Sequence, residues 1–223
     1  MALILGIDDA GRGPIIGPMI LAGVLIEKAK EPQLKKHGVT DSKLLPHQKR
    51  IALSKILKEL AESFKIVKAS PEEIDLSLKS KINLNTLEAI KTAEIINFLA
   101  PKKQRVKVII DCPSTNTSAW KNTLLKYLKT PQNLTILCEH KADFNHISVA
   151  AASILAKVER EEEVQKIKKQ YGDIGSGYPS DPTTKLFLKT NGALLANKGI
   201  FRKSWATWKA LFPEKSQSTL ENY

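Results

Sequence analysis

The sequence predicts an α/β domain with helices packed on a central sheet. Short apolar runs rich in β-branched residues alternate with segments whose apolar residues recur at helical spacing, most regularly in the second half of the chain. The chain has 223 residues, of which 42% are hydrophobic, so it can bury the core of one full domain. We therefore expect one domain with a small C-terminal appendage.

Two strands joined by a turn open the chain. Leu3–Ile7 and Ile20–Ile26 are short β-branched runs, and the glycine- and proline-rich segment Gly11–Pro18 lies between them. Phe64–Val67 predicts a third strand. Between the second and third strands, apolar residues at helical spacing predict a helix that carries Leu53, Ile56, Leu57 and Leu60.

Capping signals mark the helices in the middle of the chain. Ser70, Pro71 and Glu73 have the form of a capping box with proline at the first helical position, so a short helix begins there. A longer helix follows and ends before Pro101. Its apolar face carries Leu84, Leu87, Ile95 and Leu99.

The second half continues the alternation of strands and helices. A long helix in this region is closed by Gly172, and a loop rich in glycine, proline and serine begins at Gly175. The predicted elements are strands at Val106–Ile110 and Leu134–Leu137, and helices at Ala119–Leu128, Val149–Tyr171, Thr183–Lys189 and Ser204–Phe212.

The charge of the chain favours a polyanionic partner. Its formal net charge is +12 and its pI is about 9.6, and basic side chains that neutralise phosphates release condensed counterions. Nucleic acid is the first candidate, although a lysine-rich surface can also serve solubility alone. No basic leader precedes Leu3 and no apolar stretch approaches the roughly 20 residues of a membrane span, so we expect a cytoplasmic protein without membrane contact.

The cysteines and histidines do not form a metal constellation. Cys112 and Cys138 lie in or after apolar runs without a CxxC pair, so we expect reduced, structural thiols. The histidines are expected at the surface or in hydrogen bonds rather than as ligands. They are His37 and His47, in a polar loop region, and His140 and His146, which flank Asp143.

Three predicted strands run into acidic residues. These are Asp8 and Asp9 after the first strand, Asp111 after the fourth, and Asp143 shortly after the fifth. Ligands gather at strand ends in open α/β sheets, so these carboxylates can converge on one point. A pair of Mg²⁺ or Mn²⁺ ions about 4 Å apart would relieve their repulsion and support phosphodiester cleavage. A lone aspartate at a strand end is more often a turn former or a helix cap, but four in this arrangement favour a metal site.

A motif near the N-terminus and several later segments carry a family resemblance. The stretch from Gly6 to Pro14 reads G-I-D-D-A-G-R-G-P. The later segments are Gly17-Pro18, Asp41-Ser42-Lys43, Ile82-Asn83-Leu84-Asn85, His140-Lys141-Ala142-Asp143, Ala151 to Lys157, and Gly175 to Pro182. In these the chain resembles the type 2 ribonuclease H family, ribonuclease HII, whose signature has the form G-I-D-E-A-G-R-G-P. The last segment is similar to the archaeal branch.

The resemblance implies a ribonuclease H-like fold, which is a five-stranded mixed sheet flanked by helices with a C-terminal helical portion. We accordingly expect a catalytic domain at 1–174 and a substrate-contacting loop and helices at 175–223, packed on the same domain. The implied reaction is endonucleolytic hydrolysis on the 5′ side of a ribonucleotide, leaving a 3′-hydroxyl and a 5′-phosphate. The family's four acidic, metal-holding residues are matched by Asp8, Asp9, Asp111 and Asp143.

The resemblance also implies a sensor for the ribose 2′-hydroxyl, the group that separates RNA from DNA. In the family this is the backbone of a Gly-Arg-Gly turn, here Gly11, Arg12 and Gly13, together with a tyrosine that Tyr178 matches. Glycine lets the main chain approach the sugar closely. An ordinary glycine turn and a tyrosine packed on the core are the alternative interpretations.

Three more residues are candidate contacts to phosphate oxygens, namely Lys43, Asn83 and Ser153. Asn83 also stands where it can cap the helix that begins near Leu84. Ser153 and Lys157 are four residues apart and share one helical face, so both can point toward the site.

One position departs from the family pattern. Asp9 stands where the family carries glutamate, so its carboxylate is one methylene shorter. We expect activity to be retained, because this position is expected to act mainly through its backbone carbonyl. Two other function classes stay open: a nucleic-acid-binding homologue with impaired catalysis, and a DNA resolvase or integrase of the same fold. A DNA-only enzyme, however, has no need of a 2′-hydroxyl sensor.

The expected partner is an RNA/DNA hybrid or a DNA duplex with embedded ribonucleotides. We expect a monomer that uses Mg²⁺ or Mn²⁺, with two ions during catalysis. The segment Pro213–Tyr223 carries no motif that predicts a sliding-clamp contact.

Overall fold

The computed structural model describes residues 2–213, and their strands form one mixed sheet. The strands are β1 (Leu3–Ala10), β2 (Met19–Glu27), β3 (Ser63–Ala69), β4 (Val106–Asp111) and β5 (Leu134–Glu139). Their order across the sheet is β3-β2-β1-β4-β5. β2 is antiparallel to β1 and β3, whereas β4 is parallel to β1 and β5. This is the five-stranded mixed sheet expected of a ribonuclease H-like fold.

Helices cover both faces of the sheet. They are α1 (Glu31–Lys36), α2 (His47–Leu60), α3 (Pro71–Lys79), α4 (Leu84–Leu99), α5 (Thr117–Leu125), α6 (Ala142–Asn145), α7 (Ile147–Tyr171), α8 (Pro182–Asn191) and α9 (Ala206–Leu211). Alternate residues of β1 point to opposite faces. Leu5 and Ile7 therefore pack with α3, α4 and α5, while Ile4 packs with α2 and α7.

The predicted strands and helices are all present, with shifted ends. Ser70 caps α3 as predicted, since its hydroxyl accepts a hydrogen bond from the Glu73 backbone N–H at 3.1 Å. The helix predicted at Ala119–Leu128 was wrong at both ends. Asn116 caps α5, which begins two residues earlier than predicted, at Thr117, and the helix ends at Leu125. Helix α1 was not predicted, because it buries a single apolar side chain, Leu34.

Three residues lie in elements that the sequence did not predict for them. Asp8 and Asp9 lie inside β1 rather than after it, because the strand continues to Ala10 in its pairing with β2. His47 begins α2 and contacts Glu161 instead of lying in a loop. The cysteines are free, as predicted.

The C-terminal residues pack against the loop that connects β1 with β2. Ile16 forms a β-bridge with Phe201, and both lie in a third apolar cluster with Val164 of α7. The ring centroids of Phe201 and Trp208 are 4.9 Å apart. Residues 175–213 are therefore tied to the loop that follows β1. Residues 214–223, which belong to the predicted C-terminal portion, lie outside the described residues.

Within residues 2–213, no helix combines the length and the apolar character that crossing a membrane requires.

Helix α7 approaches β1 closely at Gly6. A Cβ atom added at Gly6 would lie 2.1 Å from the backbone carbonyl carbon of Ser148, and backbone atoms cannot move aside as a flexible side chain can. Because α7 carries Ser153 and Lys157, the distance between β1 and α7 also sets how these side chains meet Asp8.

We expect Gly6→Ala to lower the free energy of unfolding by about 3 kcal/mol, because α7 must shift away from β1. This corresponds to a loss of about 6–12 °C in Tm for a chain of this size. Thermal unfolding followed by circular dichroism checks the prediction. Gly172→Ala serves as a comparison, because nothing lies within 4 Å of a Cβ there and only its positive φ of 92° is strained. A Gly6→Ala chain as stable as the Gly172→Ala chain would contradict the packing argument.

Candidate active site

The aspartates of β1 face opposite sides of the sheet, as successive strand residues must. Asp8 is 6% exposed and lies on the α7 side, next to the Ser153 hydroxyl. Asp9 lies on the α4 side, where it shares a small cavity with Glu88. The Asp8 carboxylate also accepts a hydrogen bond from the Asp9 backbone N–H at 2.7 Å.

Asp111 meets this pair from the neighbouring strand. Ile110 of β4 pairs with Ile7 of β1, so Asp111 ends β4 at the level of Asp8. The same cavity is lined by Asp8, Asp9 and Asp111. Two of the three predicted acidic strand positions therefore converge directly.

Asp143 reaches the cluster through a tight turn after β5. Lys141 has a left-handed backbone with φ 58°, which reverses the chain into α6. The Asp111 carboxylate then accepts a hydrogen bond from the Ala142 backbone N–H at 3.0 Å. Asp143 is 2% exposed, and its Oδ2 accepts a hydrogen bond from Lys43 Nζ at 3.1 Å. Its Oδ1 is buried and has no hydrogen-bond partner among the described residues.

Burial and mutual repulsion disfavour the charged forms of these carboxyls. Burial raises the pKa of Asp8 well above its ordinary value, and the neighbouring charges of Asp9 and then Asp111 raise it further. Burial raises the pKa of Asp9 to about 6, although Arg12 opposes the shift. Burial also raises the pKa of Asp111, and the charge of Asp143 adds to this. A divalent cation would relieve this repulsion, so the donor set fits a hard, oxygen-seeking metal ion.

Three of the carboxylates each accept a hydrogen bond from a protein group. Within residues 2–213, no three aspartate, glutamate, histidine or cysteine side chains already surround a common metal position. The reason is visible in the hydrogen bonds, since Lys43 holds Asp143 and the Ala142 N–H holds Asp111. The Oδ1 of Asp143 is a buried oxygen without a partner among the described residues, and a cation would satisfy it.

Two serines and a lysine support the acidic cluster from the α7 side. The Ser42 and Ser153 hydroxyl oxygens are 2.8 Å apart, and Lys157 Nζ donates to Ser42. Burial lowers the pKa of Lys157, although the charge of Asp8 opposes the shift. Lys157 and Asp8 are thus close neighbours in the same partly dry environment.

Two of the predicted phosphate contacts, Ser153 and Asn83, make hydrogen bonds within the protein. Ser153 is completely buried between Ser42 and Asp8, so its hydroxyl supports a carboxylate rather than facing solvent. Asn83 caps α4, since its Oδ1 accepts a hydrogen bond from the Thr86 backbone N–H at 2.9 Å. Lys43 remains exposed over most of its side chain and is placed to reach an incoming phosphate.

The Gly-Arg-Gly turn lies immediately after β1 and is held from inside the protein. Gly11 has φ 84°, a left-handed conformation that favours glycine. Arg202 is completely buried and donates hydrogen bonds to the carbonyls of Gly11 at 2.6 Å, Arg12 at 2.7 Å and Gly17 at 3.0 Å. Burial lowers the pKa of Arg202 to about 10, and the nearby positive charge of Arg160 adds to this.

Tyr178 lies beside the turn, as the resemblance implied. An added Cβ at Gly13 would be 3.4 Å from the Tyr178 ring, so the absence of a side chain keeps this space open. The guanidinium of Arg160 lies 5.1 Å from the ring centroid on a face of the same tyrosine. The resulting open groove has a volume of about 420 Å³. Its lining includes Asp9, Gly11, Arg12, Gly13, Lys157, Arg160 and Tyr178.

Sequence reasoning missed Glu88 and Arg202, which hold the turn from two directions. The sequence around each residue contains a feature that could have identified it. Glu88 interrupts the apolar face of α4, and Arg202 follows the apolar pair Ile200 and Phe201. A charged residue in an apolar run is rarely buried unless it has a specific partner. Their partners in the turn are far away in the sequence and could not be identified without the fold.

The fold and the converging carboxylates define a nuclease of the ribonuclease H type, and the comparisons with solved structures agree. The ribonuclease H2 of Pyrococcus horikoshii OT3 superposes with a TM-score of 0.84 at 35% identity, covering 94% of this chain and 96% of that one. The ribonuclease HII in the PCNA:RNase HII complex of Archaeoglobus fulgidus superposes with a TM-score of 0.81 at 36% identity, covering 96% and 98% of the two chains.

Sequence comparison identifies the family. The model of the ribonuclease HII family matches residues 5–208. The ribonuclease HII of Methanococcus maripaludis strain C5 is 42% identical over 221 residues, covering 98% of this chain and 90% of the relative. The chain belongs to the ribonuclease HII family and is an endoribonuclease by class.

Proposed function

We propose that the chain hydrolyses the ribonucleotide-containing strand of RNA/DNA hybrids and of DNA duplexes with embedded ribonucleotides. Cleavage falls on the 5′ side of a ribonucleotide and leaves a 3′-hydroxyl and a 5′-phosphate. One observation carries the proposal: the carboxylates of Asp8, Asp9 and Asp111 line a cavity that adjoins the Gly-Arg-Gly turn and Tyr178. Asp9 contributes to both the acidic cavity and the groove.

Asp8, Asp9, Asp111 and Asp143 are the proposed ligands of Mg²⁺ or Mn²⁺. When bound, such ions supply an activated water and stabilise the charge that develops on the leaving oxygen. The protein's part is to hold the oxygens at fixed positions. β1 and β4 fix Asp8 and Asp111, and the left-handed turn at Lys141 fixes Asp143.

The groove between the turn and Tyr178 is the proposed ribose site. Gly11 and Gly13 have no side chains, so the sugar can approach their backbone, and the Tyr178 ring limits the space on the other side. Lys43 and Lys157 supply positive charge for the scissile phosphate. Asn83 is exposed and caps α4 through its Oδ1 alone, so its amide nitrogen stays a proposed phosphate contact. Ser153 is buried next to Ser42 and Asp8 and supports the carboxylate in this proposal. Residues 175–213 contribute Tyr178 and Arg202.

A duplex of DNA with a single ribonucleotide tests the proposal. With Mg²⁺ or Mn²⁺ we expect one nick, 5′ to the ribonucleotide, and no nick after chelation of the metal. Sequencing gels that resolve a 3′-hydroxyl from a 3′-phosphate identify the product. Binding without nicking would favour the impaired homologue, and equal cutting of an all-DNA duplex would favour a resolvase-type enzyme.

The aspartate at position 9 is expected to support activity. Asp9→Glu restores the family's residue. We expect the kcat/KM values of the native chain and the variant to differ by less than about tenfold, which corresponds to about 1.4 kcal/mol of transition-state stabilisation. Parallel cleavage assays at several Mg²⁺ and Mn²⁺ concentrations measure this ratio. An inactive native chain that Asp9→Glu rescues would show that the longer side chain is required.

Metal is expected to stabilise the chain more at pH 8 than at pH 5. The pKa of folded Asp9 is about 6, above the 3.8 of a free aspartate, so the folded state binds the proton more tightly. Stability without metal therefore falls as pH rises between these values. Metal replaces the proton, and at about 100 times its Kd it adds about 2.7 kcal/mol.

Thermal unfolding with and without Mg²⁺ at both pH values, at equal ionic strength, measures this effect. We expect a rise of about 5–10 °C in Tm at pH 8 and a smaller rise at pH 5. Equal shifts at the two pH values would contradict the role of the buried carboxyls.

A sliding clamp is a proposed protein partner, because the Archaeoglobus fulgidus relative was solved in a PCNA:RNase HII complex. Size-exclusion chromatography with light scattering tests this with an archaeal clamp. We expect the free chain to elute as a monomer and to co-elute with the clamp when mixed. Separate elution at micromolar concentrations would contradict the interaction.

A further inference from the structure

The side chain of Arg12 is held by helix α4. Arg12 Nη1 donates a hydrogen bond to Glu88 Oε2, and Arg12 Nη2 donates one to Asn85 Oδ1 at 2.6 Å. Both acceptors lie on the first two turns of α4, one turn apart. The planar guanidinium can satisfy two acceptors at once, which a lysine ammonium in the same place could not do with fixed geometry.

Burial of the Glu88 carboxylate at this position is energetically unfavourable. It is 1% exposed, and Arg12 is its ion-pair partner among the described residues. The Oε1 atom has no hydrogen-bond partner in the described structure. A buried ion pair contributes little net stability compared with well-packed apolar residues. Since Leu87 and Ala89 already contribute to the core, an apolar residue at position 88 would suit α4 as well.

The two contacts instead fix the conformation of the turn. Arg202 holds the carbonyls of Gly11 and Arg12 from one side, and Glu88 and Asn85 hold the Arg12 side chain from another. The Arg12 backbone lies between the glycines of the proposed ribose sensor. A small displacement of such a sensor is costly, because about 1 Å of misplacement can reduce the rate about 100-fold.

We propose that Asn85 and Glu88 are positioning residues that determine ribonucleotide selectivity by acting through Arg12. This inference rests on the proposed function, since it concerns the same ribose site. Arg12 serves as the link between α4 and the turn, and the turn presents its backbone to the sugar. In this proposal Asn85 and Glu88 act on the sugar through Arg12, and Glu88 also lines the cavity that holds Asp9.

A double-mutant cycle tests the link. The chains are native, Glu88→Ala, Arg12→Ala and the double variant, assayed on a duplex with one ribonucleotide. We expect kcat/KM to fall about 10- to 100-fold in each single variant. Because Glu88 acts through Arg12, the double variant should lose no more than Arg12→Ala alone. Multiplied losses in the double variant, or a Glu88→Ala chain within twofold of native, would overturn the proposal.

Equilibrium binding separates positioning from simple loss of folding. With Ca²⁺ as the only divalent ion, fluorescence anisotropy gives the Kd for a duplex with one ribonucleotide and for the all-DNA duplex. A less stable but correctly shaped chain changes the active fraction and leaves the ratio of the two Kd values unchanged. We expect Glu88→Ala and Asn85→Ala to bring this ratio closer to one, while Glu88→Gln, which keeps an acceptor oxygen, retains part of the preference. A ratio equal to native in Glu88→Ala would overturn the proposal.

Glu73→Ala is the matched control, because Glu73 of α3 makes an ion pair with α4 that lies away from the turn. It removes the contact of Glu73 Oε1 with Lys91 Nζ of α4, 2.5 Å long, without touching the turn. We expect native selectivity, and loss of selectivity in this control would point to α4 as a whole rather than to Arg12. An inactive native chain would reject the proposed nuclease function, whereas an active native chain unaffected by Glu88→Ala would reject the positioning role alone.

Discussion

Asp8→Asn abolishes cleavage and raises thermal stability in the absence of metal. Asp8 faces α7, accepts a hydrogen bond from the Asp9 backbone N–H, and lies next to the end of β4. Its carboxylate is therefore the proposed metal ligand that another residue can least easily replace. Loss of a ligand that organises metal-assisted hydrolysis is worth several kcal/mol, and we expect kcat/KM to fall at least about 1,000-fold.

The gain in stability follows from the direction of the pKa shift. Burial raises the pKa of Asp8, so the charged form destabilises the folded state at neutral pH. A neutral asparagine removes that cost. Cleavage assays and metal-free thermal unfolding at pH 8 measure the two effects together.

Asp173→Asn is the control for Asp8→Asn. Asp173 is an exposed aspartate that contacts Lys168 Nζ at 2.9 Å, away from the acidic cluster. We expect native activity and a Tm within about 1–2 °C of native, as for most surface substitutions. An Asp8→Asn chain that cleaves within tenfold of native would remove Asp8 from the catalytic set.

Arg202→Ala loses both stability and activity. Its guanidinium is completely buried and holds the carbonyls of Gly11, Arg12 and Gly17. Removing it leaves these carbonyls without their donor, and we expect a loss of about 3 kcal/mol in the free energy of unfolding. Because the turn is then free to move, kcat/KM falls about 100-fold even where the chain is fully folded.

Assays well below the lowered Tm separate these two effects. Arg202→Lys keeps a positive charge but cannot reach three carbonyls with fixed geometry, so we expect an intermediate activity. Lys203→Ala is the neighbouring control, since its exposed side chain does not contact the turn. A folded Arg202→Ala chain with activity within threefold of native would show that the turn keeps its shape without this support.

Local sequence patterns predicted the parts of the structure that local forces determine. Short β-branched runs predicted the strands, and Ser70 predicted the start of α3 because a cap depends on residues three positions apart. The acidic strand positions predicted a meeting point, since parallel strands such as β1 and β4 bring equivalent ends together. The family resemblance supplied Tyr178 and the fold.

The remaining parts depend on contacts between distant residues. Arg202 meets Arg12 across 190 positions and Glu88 meets it across 76, so no spacing rule relates them. Ser153 was predicted to point toward the site, and it lies next to Asp8, but its complete burial was not predicted. Helical spacing gives the direction of a side chain but not how deeply other elements will cover it.

The position of Arg202 has a consequence for the order in which the enzyme matures during biosynthesis. A nascent chain that has emerged only as far as Asp143 already contains every proposed metal ligand, yet the donor that holds the Gly-Arg-Gly carbonyls is translated much later. The Gly-Arg-Gly turn therefore lacks its internal donor until residue 202 has been translated.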